Sequence, residues 1–308
     1  MKIQWPHGKT FAFTIFDDPD SQRLEDGKKI YSLLADWGFR TTKGVWPLGA
    51  VREPNSPGDT CSDPAYREEA INLERRGFEI GYHNATLHSS TRQETIQALD
   101  AFRRYFGHDP AVMANHYNEE AIYWGPARLS GSRRALYNLV TLGRNRKRHF
   151  GHVEGHASFW GDLCLQRISY CRNFVFSDIN TLAACPWMPY RDPDRPYVNA
   201  WFASSEGKTG PRFLQTIGEA NQDRLEAEGG ACVMYTHFGL GFVESGQVSP
   251  KFRELMARLS RKNGWFVPVG PLLDYLGQKK RGQLEISRTD RTRLERRWLW
   301  EKMFRGTS

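Results

Sequence analysis

Asp17 and Asp18 stand together at the end of the apolar run 11–16, and His83 and His88 bracket a polar segment at the end of a second run, 78–82. Carboxylates and neutral imidazoles both bind zinc and its neighbours, and three protein ligands leave a coordination position open for water. Two imidazoles and one carboxylate at strand ends suit a divalent-metal site, with one acid to spare. Residues five apart on a helix point roughly 140° away from each other, so His83 and His88 cannot share a helical face. A bend has to bring them together. Asp-Asp before Pro19 is also an ordinary turn composition. What favours chemistry is that both clusters lie at carboxyl ends of expected strands, where α/β barrels and open α/β sheets build their sites.

The same placement recurs. The run 111–114 leads into Asn115 and His116, the run 173–176 into Ser177 and Asp178, and the run 231–235 into Thr236 and His237. Helical patterns separate these strands. Residues 21–37 carry Leu24, Ile30, Leu33, Leu34 and Trp37, and residues 64–76 are strongly charged on one side. Thr91 and Glu94 form a capping box ahead of Ile96, Leu99, Phe102 and Phe106, and Ser249-Pro250 makes a cap for the next helix. Residues 265–269 read as a last strand and 271–276 as a last helix. An α/β fold in one large domain follows, since a chain of 308 residues with 39% hydrophobic content can bury one sizeable core.

Three of these segments resemble a known family. Phe13-Thr-Ile-Phe-Asp17-Asp18, His83-x4-His88 and Val233-Met-Tyr-Thr-His237 look like the first, second and fifth motifs of the polysaccharide deacetylases (carbohydrate esterase family 4), in their usual order over residues 9–277. The resemblance implies a distorted, incomplete (β/α) barrel and metal-dependent removal of an N-acyl group from an amino sugar or glycan precursor. By motif position Asp18, His83 and His88 hold the metal, with zinc favoured, Asp17 is the general base and His237 the general acid. The pattern departs at the third motif, where Asn115-His116 replaces the arginine that orients the base. His116 then has three roles open to it: standing in for that arginine, contacting substrate, or ligating the metal. The fourth motif has no clear match; Asp178 is the best partner for His237, and Trp187 and Trp201 are candidates to wall the sugar site or to fill the core.

Charge and cysteine content bound the rest. Residues 279–308 hold ten Lys/Arg and four Asp/Glu, a net +6 of the chain's formal +8, and form a basic extension to a catalytic unit ending at 278. As a helix it places Leu299, Trp300, Met303 and Phe304 on one side, which suits either an anionic membrane surface or packing on the barrel through its tryptophans. A second basic stretch, 144–148, lies where no acid occurs between Glu120 and Glu154. It suits sugar-linked phosphates or a solvated loop. No nucleic-acid motif accompanies either stretch, so no nucleic-acid partner is expected. Five dispersed cysteines suit free thiols, and the opening residues lack the apolar core of a signal peptide, so a cytoplasmic location is expected. Hydrolysis of another non-peptide C–N bond is the main alternative activity. A silent glycan-binding module is disfavoured by the retention of Asp17 beside the ligand set.

Overall fold

The structure, a computed structural model, describes residues 3–280 and 283–308. Met1 and Lys2, from the opening segment, and Arg281 and Gly282, from the basic extension, lie outside the described residues. Strands and helices alternate through β1 (Phe11–Asp17), α1 (Leu24–Asp36), β2 (Thr42–Val45), α2 (Pro64–Arg75), β3 (Glu79–Tyr82), α3 (Arg92–Phe106) and β4 (Val112–Met113). Two helices, α4 (Gly131–Val140) and α5 (Gly161–Arg167), then precede β5 (Tyr170–Phe176), and α6 (Thr181–Ala184) precedes β6 (Ala200–Ser205). After α7 (Gly210–Thr216) and α8 (Glu219–Glu228) comes β7 (Ala231–Thr236). A hairpin of β8 (Val243–Glu244) and β9 (Gln247–Val248), then α9 (Pro250–Ser260), β10 (Gly264–Trp265), α10 (Val269–Lys279) and α11 (Arg288–Arg305) complete the chain.

The strands β1 to β7 are parallel neighbours in sequence order, and β1 pairs with β7 from Ala12↔Ala231 to Asp17↔Thr236, so the sheet closes on itself. This is the expected distorted barrel, closed by seven strands of which β4 has only two residues. The short β10 pairs only with Phe11 and Ala12 at the foot of β1, beside the stretch where β2 pairs with Phe16 and Asp17. Strands covered on both faces read as continuous apolar runs, and every residue of β1 and β7 is buried. The capping box of Thr91 and Glu94 and the Ser249 cap form as the sequence predicts. The last strand is shorter than residues 265–269: it covers Gly264–Trp265, and α10 starts at Val269 with Pro271 in its first turn, where no helical N–H is required.

The basic extension is docked on the barrel. Trp298 is fully buried, 5.9 Å from the Tyr137 ring and 5.2 Å from the Phe174 ring. Two buried acids of α11 fasten it: Glu295 accepts from Ser130 and Arg133, and Glu301 accepts from the backbone N–H and hydroxyl of Ser177. The side read as apolar divides, with Leu299 buried and Trp300, Met303 and Phe304 exposed. Trp298→Ala should therefore cost about 3–5 kcal/mol, as large-to-small core changes do. Urea denaturation checks it, and an unchanged midpoint would mean that α11 is not docked in solution. Among the described residues no helix is long and apolar enough to cross a membrane.

Candidate metal and acid–base site

The carboxyl ends of four strands converge on one mouth of the barrel. Asp18 and Asp20 follow β1, His83 follows β3 directly, His116 lies three residues past β4, and His237 follows β7 directly. Backbone geometry sets these positions. Ser21 and Asn84 both adopt positive φ (58° and 62°), which turns the chain sharply after each strand. The Asn84 side-chain oxygen accepts from the His116 N–H at 3.0 Å, tying the mouth of β3 to that of β4. Trp46, fully buried, stands edge-on to His116 at 5.2 Å and 5.7 Å from His83, which fixes both rings.

Asp20 is the centre of the cluster. Its Oδ2 lies 3.2 Å from His83 Nε2 and its Oδ1 lies 3.3 Å from His116 Nδ1. Burial pushes the Asp20 carboxyl up, but the His116 and His83 imidazoles beside it outweigh burial and hold the group well below the usual carboxylate range. Buried polar atoms without partners cost roughly 1–3 kcal/mol each. Three occur here together: Asp20 Oδ2, His83 Nδ1 and His116 Nε2 make no hydrogen bond. Two imidazoles and a carboxylate with ligand atoms within 4.8 Å of one another and spare electron pairs fit a divalent ion of the zinc type. A second group of Asp18, Asp20 and His237 shares the central carboxylate. Asp18 is already engaged: its two oxygens accept from Arg172 Nη1 at 2.8 Å and Nη2 at 2.5 Å, a buried bidentate pair.

His237 Nδ1 lies 2.9 Å from the Lys208 carbonyl oxygen, which only accepts, so Nδ1 carries a proton and Nε2 faces the cleft. Nε2 is 3.6 Å from Asp20 and 3.9 Å from Asp18. The cleft above these groups holds about 500 Å³ and is also lined by Trp124, Arg128, Tyr137, Asn145 and Lys302.

The remaining sequence expectations fall elsewhere. Asp17 is fully buried in the barrel wall, accepting from Gln22, Tyr31 and the Phe238 N–H at 2.8 Å each, with Lys43 at 3.9 Å. Burial pushes its carboxyl up, against Lys43 and those donors. It does not line the cleft. His88 is not brought to His83: its Nε2 accepts from the Val51 N–H at 3.2 Å, in the loop after β2, and its Nδ1 lies 3.0 Å from the Ser89 carbonyl, so both nitrogens are used by backbone groups. Asn115 borders the cleft but exchanges both of its hydrogen bonds with the backbone of Ile122. Asp178 pairs with Arg224 and the Asn180 N–H, while Lys208 is the partner of His237. Trp201 is buried in β6, and Trp187 is half-buried against the core; Trp124 is the cleft tryptophan. Sequence reasoning missed Asp20 and Arg172. The signals were an acid one residue beyond Pro19 and a lone arginine inside an apolar strand.

Comparison with known proteins adds the fold. No family model and no curated protein sequence matches the chain. A candidate polysaccharide deacetylase from Mycobacterium smegmatis superposes with a TM-score of 0.52 at 14% identity, covering 91% of this chain and 94% of that one. The barrel is of the polysaccharide deacetylase type. A candidate polysaccharide deacetylase from Pseudomonas aeruginosa PAO1 gives 0.53 at 11% identity over 91% and 95% of the two chains. Puue allantoinase gives 0.51 at 13% identity over 90% and 94%.

Proposed function

We propose that the protein is a metal-dependent hydrolase of a non-peptide C–N bond that removes an N-acyl group from an amino sugar. The observation that carries this reading is the convergence of Asp20, His83 and His116 beside the Asp18–Arg172 pair and His237 in one cleft. Asp20, His83 and His116 are the proposed ligands, and a divalent ion held there supplies Lewis acidity toward the acyl carbonyl and water. Asp18, oriented by Arg172, accepts the proton of the attacking water as the new C–O bond forms. The C–N bond then breaks, and His237, acting as the doubly protonated imidazolium with Nδ1–H held by the Lys208 carbonyl, delivers its Nε2 proton to the departing amine nitrogen. Without that proton the amine is a poor leaving group and the addition reverses. The chain's own contributions are thus a base, an acid and the orientation of both.

Puue allantoinase shares the barrel as closely as the two candidate deacetylases do, so hydrolysis of a C–N bond in a small non-sugar amide is the second reading. A panel of N-acetyl sugars and cyclic amides, assayed for acetate or ring opening with and without a chelator, separates them. Chelator-sensitive acetate release supports the first reading, and release that ignores the chelator would remove both. The five buried, unbridged cysteines support a reducing, cytoplasmic setting. Attachment to an anionic membrane would involve the exposed Trp300, Met303 and Phe304, and vesicle flotation tests it.

His237→Ala should keep the metal and lose turnover by roughly 10²–10⁴-fold on an amide. An activated ester needs less proton donation, so its loss should be much smaller. Equal losses on the two substrates would show that His237 positions substrate and does not act as the acid.

A further inference from the structure

The cleft also carries cations that Asp18 and Asp20 do not neutralise. Arg128 is 3% exposed, and its guanidinium carbon lies 3.8 Å from the Trp124 ring centroid and 4.8 Å from that of Trp298. A guanidinium has five N–H donors in a fixed fork. Arg128 makes one hydrogen bond, from Nη1 to the Asn173 carbonyl at 3.1 Å, and its buried Nε has no partner. Among the described residues no carboxylate forms a salt bridge with it. Burial pulls it down to about 10, and another cation, Arg172, presses the same way.

Lys302 reaches the same cleft from α11, half-buried and donating to the Thr307 carbonyl at 3.1 Å. Burial, then Arg128, pulls its ammonium down to about 8. Lys208 is a third cation, on the exposed rim, and neither lysine forms a salt bridge among the described residues. Glu206, the acid nearest to Lys302 in effect, already accepts from the backbone N–H groups of Lys208 and Ser308. A buried charge without a counter-charge is costly, and a rigid stacked guanidinium is preorganised for a carboxylate or phosphate.

We propose that Arg128, Lys302 and Lys208 form an anion subsite, so that the substrate of the adjacent acid–base site is an N-acyl compound bearing a carboxylate or phosphate group. The inference rests on the hydrolase reading for its substrate class. The α11 helix thereby acquires a role beyond packing, since it brings Lys302 to the cleft and Trp298 to one face of Arg128. A neutral substrate would leave the Arg128 charge without a counter-charge, whereas an oxyanion in the cleft compensates it.

Calorimetric titration of the full chain with N-acetylglucosamine, its 6-phosphate and N-acetylmuramate tests the proposal. At least one anionic sugar should bind about tenfold or more tightly than the neutral one, the scale of a charge-assisted hydrogen bond. The larger preference identifies phosphate or carboxylate as the recognised group. In Lys302→Met the preference should fall severalfold, and in Arg128→Met it should fall to parity. Lys302→Met decides alone if Arg128→Met does not fold. Equal affinities for all three sugars in the unmodified protein, or an undiminished preference in folded Lys302→Met, would overturn the subsite. Acetate release is scored separately: a preference without hydrolysis removes the hydrolase reading and leaves the subsite, and hydrolysis without preference does the reverse.

Discussion

His83→Ala and His116→Ala should each lose the bound divalent ion and, with it, all measurable turnover, whereas His88→Ala should keep both. A site with three protein ligands cannot spare one, and two of the three here are imidazoles, with His83 Nε2 at 3.2 Å and His116 Nδ1 at 3.3 Å from Asp20. Asp20→Ala should behave like the two histidine variants, because its carboxylate lies between the rings. His88 differs in kind. Its two nitrogens bond to Val51 and Ser89, so its removal leaves a backbone N–H and a carbonyl short of partners and costs roughly 1–3 kcal/mol of stability without touching the ion. Metal analysis of the purified variants, alongside circular dichroism, reads the difference. Loss of metal in His88→Ala with retention in His116→Ala would reverse the ligand assignment.

Asp18→Asn should retain the ion and lose turnover by roughly 10²–10⁴-fold, the usual contribution of a general base. The change also leaves Arg172 buried without its counter-charge, and breaking a buried pair costs about 3–5 kcal/mol, so stability must be measured beside rate. Asp17→Asn provides the contrast. Asp17 accepts from three donors in the barrel wall, and an amide there sets its own N–H groups against at least one of them. The expected result is a less stable protein whose folded fraction turns over normally. If Asp17→Asn instead lost activity at full stability while Asp18→Asn did not, the roles of the two aspartates would be exchanged.

The burial of Asp17, the base by motif position, in the barrel wall has a physical reason. Side chains alternate along a strand, and β1 continues its ladder through Asp17, which pairs with Thr236 and Lys43. Asp17 therefore points into the wall, and Asp18 is the first carboxylate free to meet Arg172. Short motifs carry the order of the acids but not the residue at which a strand ends. His83, His116 and His237 were legible because each follows an apolar run. His88 stands apart from them because its two nitrogens bond to backbone groups of Val51 and Ser89. Strands β1, β3, β5 and β7 were legible for the same reason as the histidines. By contrast β2 contains a buried Lys43 near Asp17 and Gln22, which breaks its apolar run, and β6 ends in the buried pair Ser204-Ser205, where Ser205 bonds to Thr181. Arg172 escaped because the run was read from Asn173, three residues inside the strand. The docking of α11 depends on Trp298 meeting Tyr137 and Phe174, contacts between distant segments that no local pattern announces.

Anomalous diffraction at the zinc absorption edge, from crystals grown with zinc, tests the central claim most directly. The account predicts one strong peak within bonding distance of Asp20, His83 and His116, with the Asp18–Arg172 pair intact beside it. A peak bonded to His88 or Asp17, or none at this mouth of the barrel in protein that hydrolyses an N-acetyl sugar, would contradict it.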